Sequence, residues 1–256
     1  NGEMMDFLPV KNFFLNIDKQ QVLQSGTVKM QDSSLVVSRI EFAIHKNYLL
    51  KSELMVLAII AANNWERPVY FDNSLLFSES IFLNDYLQYE GLAYRLVPIK
   101  TVSQDAFPGR IDTDILFENV MNRFTWGKVN EPGIFLDDYN KKSIKILQAR
   151  YLFSRLAEAL NAEGKMGQAE AVLDRLFEIF PDERIPLSYD SFPAAEQYYR
   201  AGAAEKGNRV VRQLAARTFE NLEYYFELPD SFARVVKEEQ ERELAFLQNL
   251  VVLTQR

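Results

Sequence analysis

The 256-residue chain contains no cysteine. This removes disulfides, thiol nucleophiles and thiolate metal ligands together, and it suits a reducing or an oxidising compartment equally. There is one histidine, His45, so a multi-histidine metal centre is excluded as well. A basic excess is also missing. Residues 1–140 hold 18 acids and 12 bases, residues 141–256 hold 18 and 17, and the net charge is −7. Neither part has the electropositive footprint of a nucleic-acid binder, and no Lys/Arg cluster marks an anionic membrane surface. The longest strongly apolar run, Leu54 to Ala62, is far too short to span a bilayer. The chain begins Asn1-Gly2-Glu3, with no initiator Met and no signal peptide. Phe7-Leu8-Pro9-Val10 and Phe13-Phe14-Leu15 read as the middle of something, so a fragment of a longer protein is expected.

What is present is ample for a packed core: 48% hydrophobic and 13% aromatic residues. Residues 1–34 read as irregular, apart from a short helix over Asp18 to Gln24 stopped by Gly26. Leu35 to Ile44 reads as a strand whose second part alternates, with Ile40, Phe42 and Ile44 on one face. Ser52 and Glu53 start a helix through Ala62. Its apolar residues nearly encircle it, which predicts burial. Asn63-Asn64 ends it and Pro68 launches a short strand, Val69 to Phe71. A helix over Ile81 to Glu90, stopped by Gly91, and a third strand, Leu92 to Val97, complete the pattern. Strand, helix, strand, helix, strand predicts a small parallel or mixed α/β sheet with flanking helices. Asp112 or Thr113 caps a helix from Asp114 to Phe124.

From Lys141 the strand patterns vanish. Ser143 to Ala162 and Gln168 to Phe180 read as paired helices turning at Gly164 and closed by Pro181. Phe153, Leu156, Ala157, Leu160, Ala169, Leu173 and Leu176 fall where a tetratricopeptide-like repeat needs its packing residues. A second pair spans Pro193 to Glu205 and Arg209 to Phe226, with Gly207 at the turn, and Ser231 to Thr254 is a capping helix. The expected organisation is an α/β domain over 1–140 followed by an all-α, repeat-like domain over 141–256.

Candidate chemistry is sparse. Asp112 and Asp114, one residue apart, have the form of a carboxylate pair that shares a divalent cation, but carboxylates also cap a first helical turn. Asp137-Asp138 lacks further oxygen ligands and reads as solvated loop. His45, at a strand end, needs a partner to act as a base. Trp65, Arg67 and Tyr70, with Tyr94 and Arg95 on the third strand, are candidate ligand or partner contacts, since aromatic faces stack on sugar rings and Arg donates to hydroxyls. The alternative is that Trp65 packs under its helix and Arg67 pairs with a carboxylate. Tyr198, Tyr199, Tyr224, Tyr225 and Phe226 suit either a peptide groove or an inter-helix core. No catalytic residue, cofactor or metal ligand is assigned.

Four stretches carry a family resemblance: Asp18 to Gly26 (DKQQVLQSG), Asn63 to Phe71 (NNWERPVYF), Glu90 to Pro98 (EGLAYRLVP) and Gly109 to Asp114 (GRIDTD). They resemble the carboxy-terminal soluble part of large multi-spanning membrane proteins found mainly in the Bacteroidetes. The amino-terminal half of those proteins is similar to protein O-mannosyltransferases of the C-type membrane glycosyltransferase fold. The resemblance covers roughly residues 1–165. It implies a non-catalytic periplasmic domain of a membrane glycosyltransferase, at the periplasmic face of the bacterial inner membrane. Its implied partners are the membrane-spanning half of the same polypeptide and a protein or glycan acceptor. A metal-dependent sugar-transfer enzyme built on Asp112 and Asp114, and a protein-interaction scaffold with no sugar role, are the competing readings.

Overall fold

A computed structural model describes residues 11–72, 83–102, 109–139 and 144–255. The chain divides into two units, Asn1–Leu116 and Phe117–Arg256. The division precedes the change of composition at Lys141.

The first unit holds two small sheets. Strand β1 (Asn12–Asn16) lies in a stretch expected to be irregular. It pairs antiparallel with β2 (Arg39–Ala43), placing Phe13 opposite Phe42 and Leu15 opposite Ile40. The Phe13 and Phe42 rings stack with centroids 5.5 Å apart. Between these strands lies helix α1 (Lys19–Gln24), as expected. Asp18 caps it by accepting from the backbone N–H groups of Gln20 and Gln21 at 2.9 and 3.1 Å, a contact worth about 1 kcal/mol. A 3-10 turn, Met30–Leu35, ends at the first residue of the stretch that reads as a strand, and β2 itself begins only at Arg39.

Helix α2 (Lys51–Asn63) follows, but its cap and its burial both differ from expectation. Glu53, not Ser52, closes the first turn. Its carboxylate accepts from the Leu50 N–H at 2.7 Å and from Lys46 Nζ at 2.8 Å. Glu53 and Ile60 are buried, whereas Leu54, Met55, Val56 and Ile59 are 40–58% exposed. An all-round apolar sequence predicts cover on every side, and α2 is covered on one.

The second sheet has the order β3-β5-β4-β6. Its strands are β3 (Tyr70–Asp72), β4 (Leu87–Tyr89), β5 (Ala93–Leu96) and β6 (Arg110–Ile111). β3 and β4 both run antiparallel to β5, and β6 runs parallel to β4. The sheet is therefore mixed and mostly antiparallel rather than parallel. The cause is local: Asn84–Tyr86 is a 3-10 turn and Leu87–Tyr89 a strand, so the described part of the expected helix to Glu90 is not helical. Gly91, with φ +105°, closes a tight β4–β5 hairpin instead of a helix. Leu87, Gln88 and Tyr89 are all buried. A strand covered on both faces shows no alternation, which is why its period is invisible in sequence. The rest of the expected helix, residues 81–82, lies outside the described residues. Helix α3 (Thr113–Glu118) continues as a π-helical turn, Asn119–Arg123.

The second unit is built from helix pairs. α4 (Ile144–Ala162) packs on α5 (Met166–Ile179), and Ala157 and Ala169 are both fully buried. Phe153, Leu156, Leu160, Leu173 and Leu176 are at most 1% exposed, as the spacing predicts. α6 (Phe192–Arg200) and α7 (Ala204–Glu227) form the next pair. Their turn is Gly202, not Gly207. Lys165 N–H to Leu160 O (2.8 Å) and Gly164 N–H to Asn161 O (3.0 Å) close the first turn; Ala203 N–H to Tyr198 O (2.9 Å) and Gly202 N–H to Tyr199 O (3.0 Å) close the second. Both glycines have positive φ, and they stand 38 positions apart. Gly207 lies inside α7, where a Cβ would come 3.1 Å from the Tyr199 ring; its absence lets α6 approach. α8 (Lys237–Thr254) packs on α7.

Two side chains organise the loops of this unit. Trp126 sits against Phe124, Phe153 and Phe180, with centroids 5.4–6.0 Å apart. Arg150, 2% exposed, donates to the carbonyls of Ile185 and Pro186 and pairs with Asp190 at 3.0 Å. It thereby folds the connection between α5 and α6.

Candidate functional site

The register of the second sheet lines up four polar residues. Tyr70 on β3 faces Arg95 on β5, Arg95 faces Gln88 on β4, and Gln88 faces Arg110 on β6. Registered neighbours share a face, so these side chains form one row. Glu90, two residues beyond Gln88, falls on the same face. It accepts from Tyr70 Oη at 2.9 Å and from Gln88 Nε2 at 2.9 Å, and its Oε1 lies 3.8 Å from Arg95 Nη1. Gln88 is 3% exposed and Glu90 9%. Burying a carboxylate requires partners of this kind. Burial first, and then the Glu90 charge and hydrogen bond, push the Tyr70 phenol above its ordinary pKa; the Arg95 charge opposes this.

Loops from the start of the chain complete the row. Gly26, in left-handed conformation after α1, presents its carbonyl to Arg95 Nη2 at 3.4 Å. Arg110 donates to Asp32 at 2.9 Å. Lys29 donates to Asp112 at 2.6 Å and to Asp114 at 3.2 Å, while Asp112 also accepts the Ile115 N–H at 3.1 Å. Partial burial works to lower the Lys29 pKa, but the hydrogen bonds and charges of the two aspartates outweigh it and the pKa rises. Gly109, before β6, has φ +97°, and a Cβ there would stand 2.9 Å from the Leu87 carbonyl oxygen. Only glycine lets that loop lie so close to β4.

The sequence-predicted residues thus separate. Tyr70, Arg95, Asp112 and Asp114 belong to this connected surface. Trp65 and Tyr94 do not: they are 7% and 1% exposed and belong to the core. Tyr94 alternates with Arg95 along β5 and packs against Tyr89, with ring centroids 4.7 Å apart. Trp65 and Asn64 both have positive φ (61° and 43°), a conformation costly for a bulky side chain and held here by burial of the indole. Arg67 is exposed, and its carbonyl accepts from Asn63 Nδ2 at 2.7 Å, which locks the turn. At Asp112 and Asp114 the Lys29 ammonium contacts both carboxylates, and Asp112 also accepts a first-turn N–H, from Ile115. Among the described residues, no group of three or more His, Asp or Glu side chains is arranged to hold a metal. His45 and Asp137-Asp138 lie away from the row in sequence.

Lys29, Asp32, Gln88, Glu90 and Arg110 were not singled out by sequence reasoning. Their partners lie up to 85 residues away, and no spacing rule reaches that far. The signal that was available is the resemblance itself. All four of its stretches contribute: Gly26 from the first, Tyr70 from the second, Glu90 and Arg95 from the third, Arg110, Asp112 and Asp114 from the fourth.

Comparison with curated proteins and with solved structures finds no match. Residues 1–115 match the family model described as TMEM260-associated domain 2, so this part of the chain is similar to a domain that accompanies an O-mannosyltransferase-like membrane protein.

Proposed function

We propose that the chain is a non-catalytic accessory part of a glycosyltransferase-like membrane protein, placed at the periplasmic face, where it braces the membrane-spanning half of the same polypeptide and presents a protein or glycan acceptor. One observation carries this reading. The family-matched segment gathers its shared motifs into a network in which every cation is engaged by a carboxylate: Lys29 with Asp112 and Asp114, Arg110 with Asp32, Arg95 with Glu90. Mutually paired groups of this kind hold loops in place; a catalytic acid or base instead needs a free face towards its substrate.

The helical unit supports the partner-binding side of the reading. Its successive pairs, each closed by the same glycine turn, are of the repeat-like kind that stacks into binding surfaces. Phe219, Tyr224, Phe226 and Phe232 are more than half exposed, and this favours a scaffold for protein partners as the second reading. The experiment is cross-linking. Because the chain has no cysteine, a cysteine introduced at Glu220 or Lys51 in the full-length protein is unique within this part of it. Thiol cross-links from it into the membrane-spanning half support bracing. Cross-links that form only to separate proteins support the scaffold.

A further inference from the structure

Helix α2 is an element whose composition its own packing does not explain. From Leu54 to Ala62 no side chain carries a donor, an acceptor or a charge. One stripe, Glu53, Leu57 and Ile60, turns inward, yet Leu54, Met55, Val56 and Ile59 are 40–58% exposed. The exposed surface continues over Tyr48 and Leu50, 58% and 51% exposed, in the loop leading to the helix. Beside it, between α2 and the inner face of β1–β2, runs an apolar groove of about 420 Å³. A contiguous patch of this kind on one side of a small unit marks a contact surface.

The chemistry at the edges selects the occupant. Lys51 opens the helix and Arg67, next to Glu66, follows it; all three are exposed. Cations at the two ends of an uncharged apolar stretch match a layer of phosphate headgroups above acyl chains. A protein partner would be held in register by about one hydrogen bond per 100–200 Å² of contact, and α2 offers no side chain to make one over nine residues. A bilayer surface asks for none. At 13 residues the helix is about 20 Å long, enough to lie in the interface and too short to cross it. We infer that the exposed face of α2 rests in the interfacial layer of a lipid bilayer, with Leu54, Met55 and Ile59 entering the acyl region and Lys51 and Arg67 at the headgroups. The inference rests on the reading of the chain as part of a membrane protein and names the surface that meets the membrane.

Flotation of the 256-residue chain with vesicles of phosphatidylethanolamine and phosphatidylglycerol tests it. The chain is expected to float with the vesicles. Met55→Glu combined with Ile59→Glu is expected to lower the bound fraction at least ~10-fold, since it puts two charges into the apolar layer. Both positions are exposed, so the variant folds, and an unchanged circular dichroism melt confirms it. Phe219→Glu combined with Phe226→Glu, in the helical unit, is expected to float as before. Lys51→Glu combined with Arg67→Glu is expected to lose binding to these vesicles as salt-sensitive binding is lost. A chain that stays in the soluble fraction, or a Met55/Ile59 variant that floats unchanged, overturns the inference. The accessory reading is tested separately by the cross-links to the membrane-spanning half: cross-links from the Lys51 position without flotation would place protein, not lipid, against α2, and overturn this inference alone.

Discussion

Lys29 Nζ lies 2.6 Å from Asp112 Oδ1, and this contact spans 83 residues of sequence to fix the loop after α1 onto the start of α3. Asp112 is 7% exposed and also caps the Ile115 N–H, whereas Asp114, the other carboxylate on Lys29, is 60% exposed. The two acids therefore differ in weight. Asp112→Ala is expected to cost about 2 kcal/mol through the lost cap and the stranded ammonium, and Asp114→Ala less than about 0.5 kcal/mol. Urea midpoints of the two variants measure the difference. Equal effects would contradict it.

Millimolar Mg²⁺ or Mn²⁺ is expected to leave the thermal midpoint unchanged, because the Lys29 ammonium already contacts both carboxylates. A ligand that bound the folded chain at this pair would add stability that grows with the logarithm of its concentration, about 2.7 kcal/mol at a hundred times its dissociation constant, and so raise the midpoint. Such a rise, abolished by Asp112→Asn, would support the metal reading.

Stability is expected to fall on the alkaline side. The Tyr70 phenol is raised by burial and by Glu90, the Tyr198 phenol by burial and by Asp174, and burial with Glu243 pushes Tyr189 up to about 12. Each is an acid that keeps its proton in the folded chain while the unfolded chain loses it near pH 10. The folded state then binds more protons, so stability is full below pH 10 and declines as pH rises towards 12. Lys29, also raised, adds in the same direction. Chemical denaturation at several pH values, with Tyr198→Phe as the comparison, reads this out. The variant's pH dependence should be shallower.

Gly109→Ala is expected to destabilise by about 1–3 kcal/mol, since φ is +97° and the new Cβ meets the Leu87 carbonyl at 2.9 Å. Gly127→Ala shares a positive φ but meets nothing within 4 Å, so it should cost only about 1 kcal/mol. In the helical unit, Arg150→Ala removes the donor from two carbonyls and leaves Asp190 with only the Ser188 and Ser191 hydroxyls, and should cost about 3 kcal/mol. Thermal melts of the three variants rank them.

Local signals were legible in the sequence. Asp18 to Gln24 reads as a short helix, Gly164 as a helix turn and Phe153 to Leu176 as the buried seam of a helix pair, because each depends on neighbours within one or two turns. The hairpin β4–β5 was not legible, since Leu87–Tyr89 is buried on both faces and shows no period. Gly207 was mistaken for the turn that Gly202 makes; both are glycines near the end of an apolar helix, and only φ separates them. α2 was read correctly as a helix and wrongly as buried, because composition records that apolar cover is wanted but not which molecule supplies it. The polar row depends on strand register, which joins Tyr70, Arg95, Gln88 and Arg110 only after folding.

The central claim is that this chain supports transfer without performing it. The direct measurement is a transfer assay with a polyprenyl-phosphate-linked sugar and an acceptor peptide, run on the isolated 256-residue chain and on the full-length protein with and without the chain. A non-catalytic accessory part gives no product alone at any Mg²⁺ or Mn²⁺ concentration, while its removal lowers the yield of the full-length protein. Product formed by the isolated chain, and lost in Asp112→Asn, would contradict the claim.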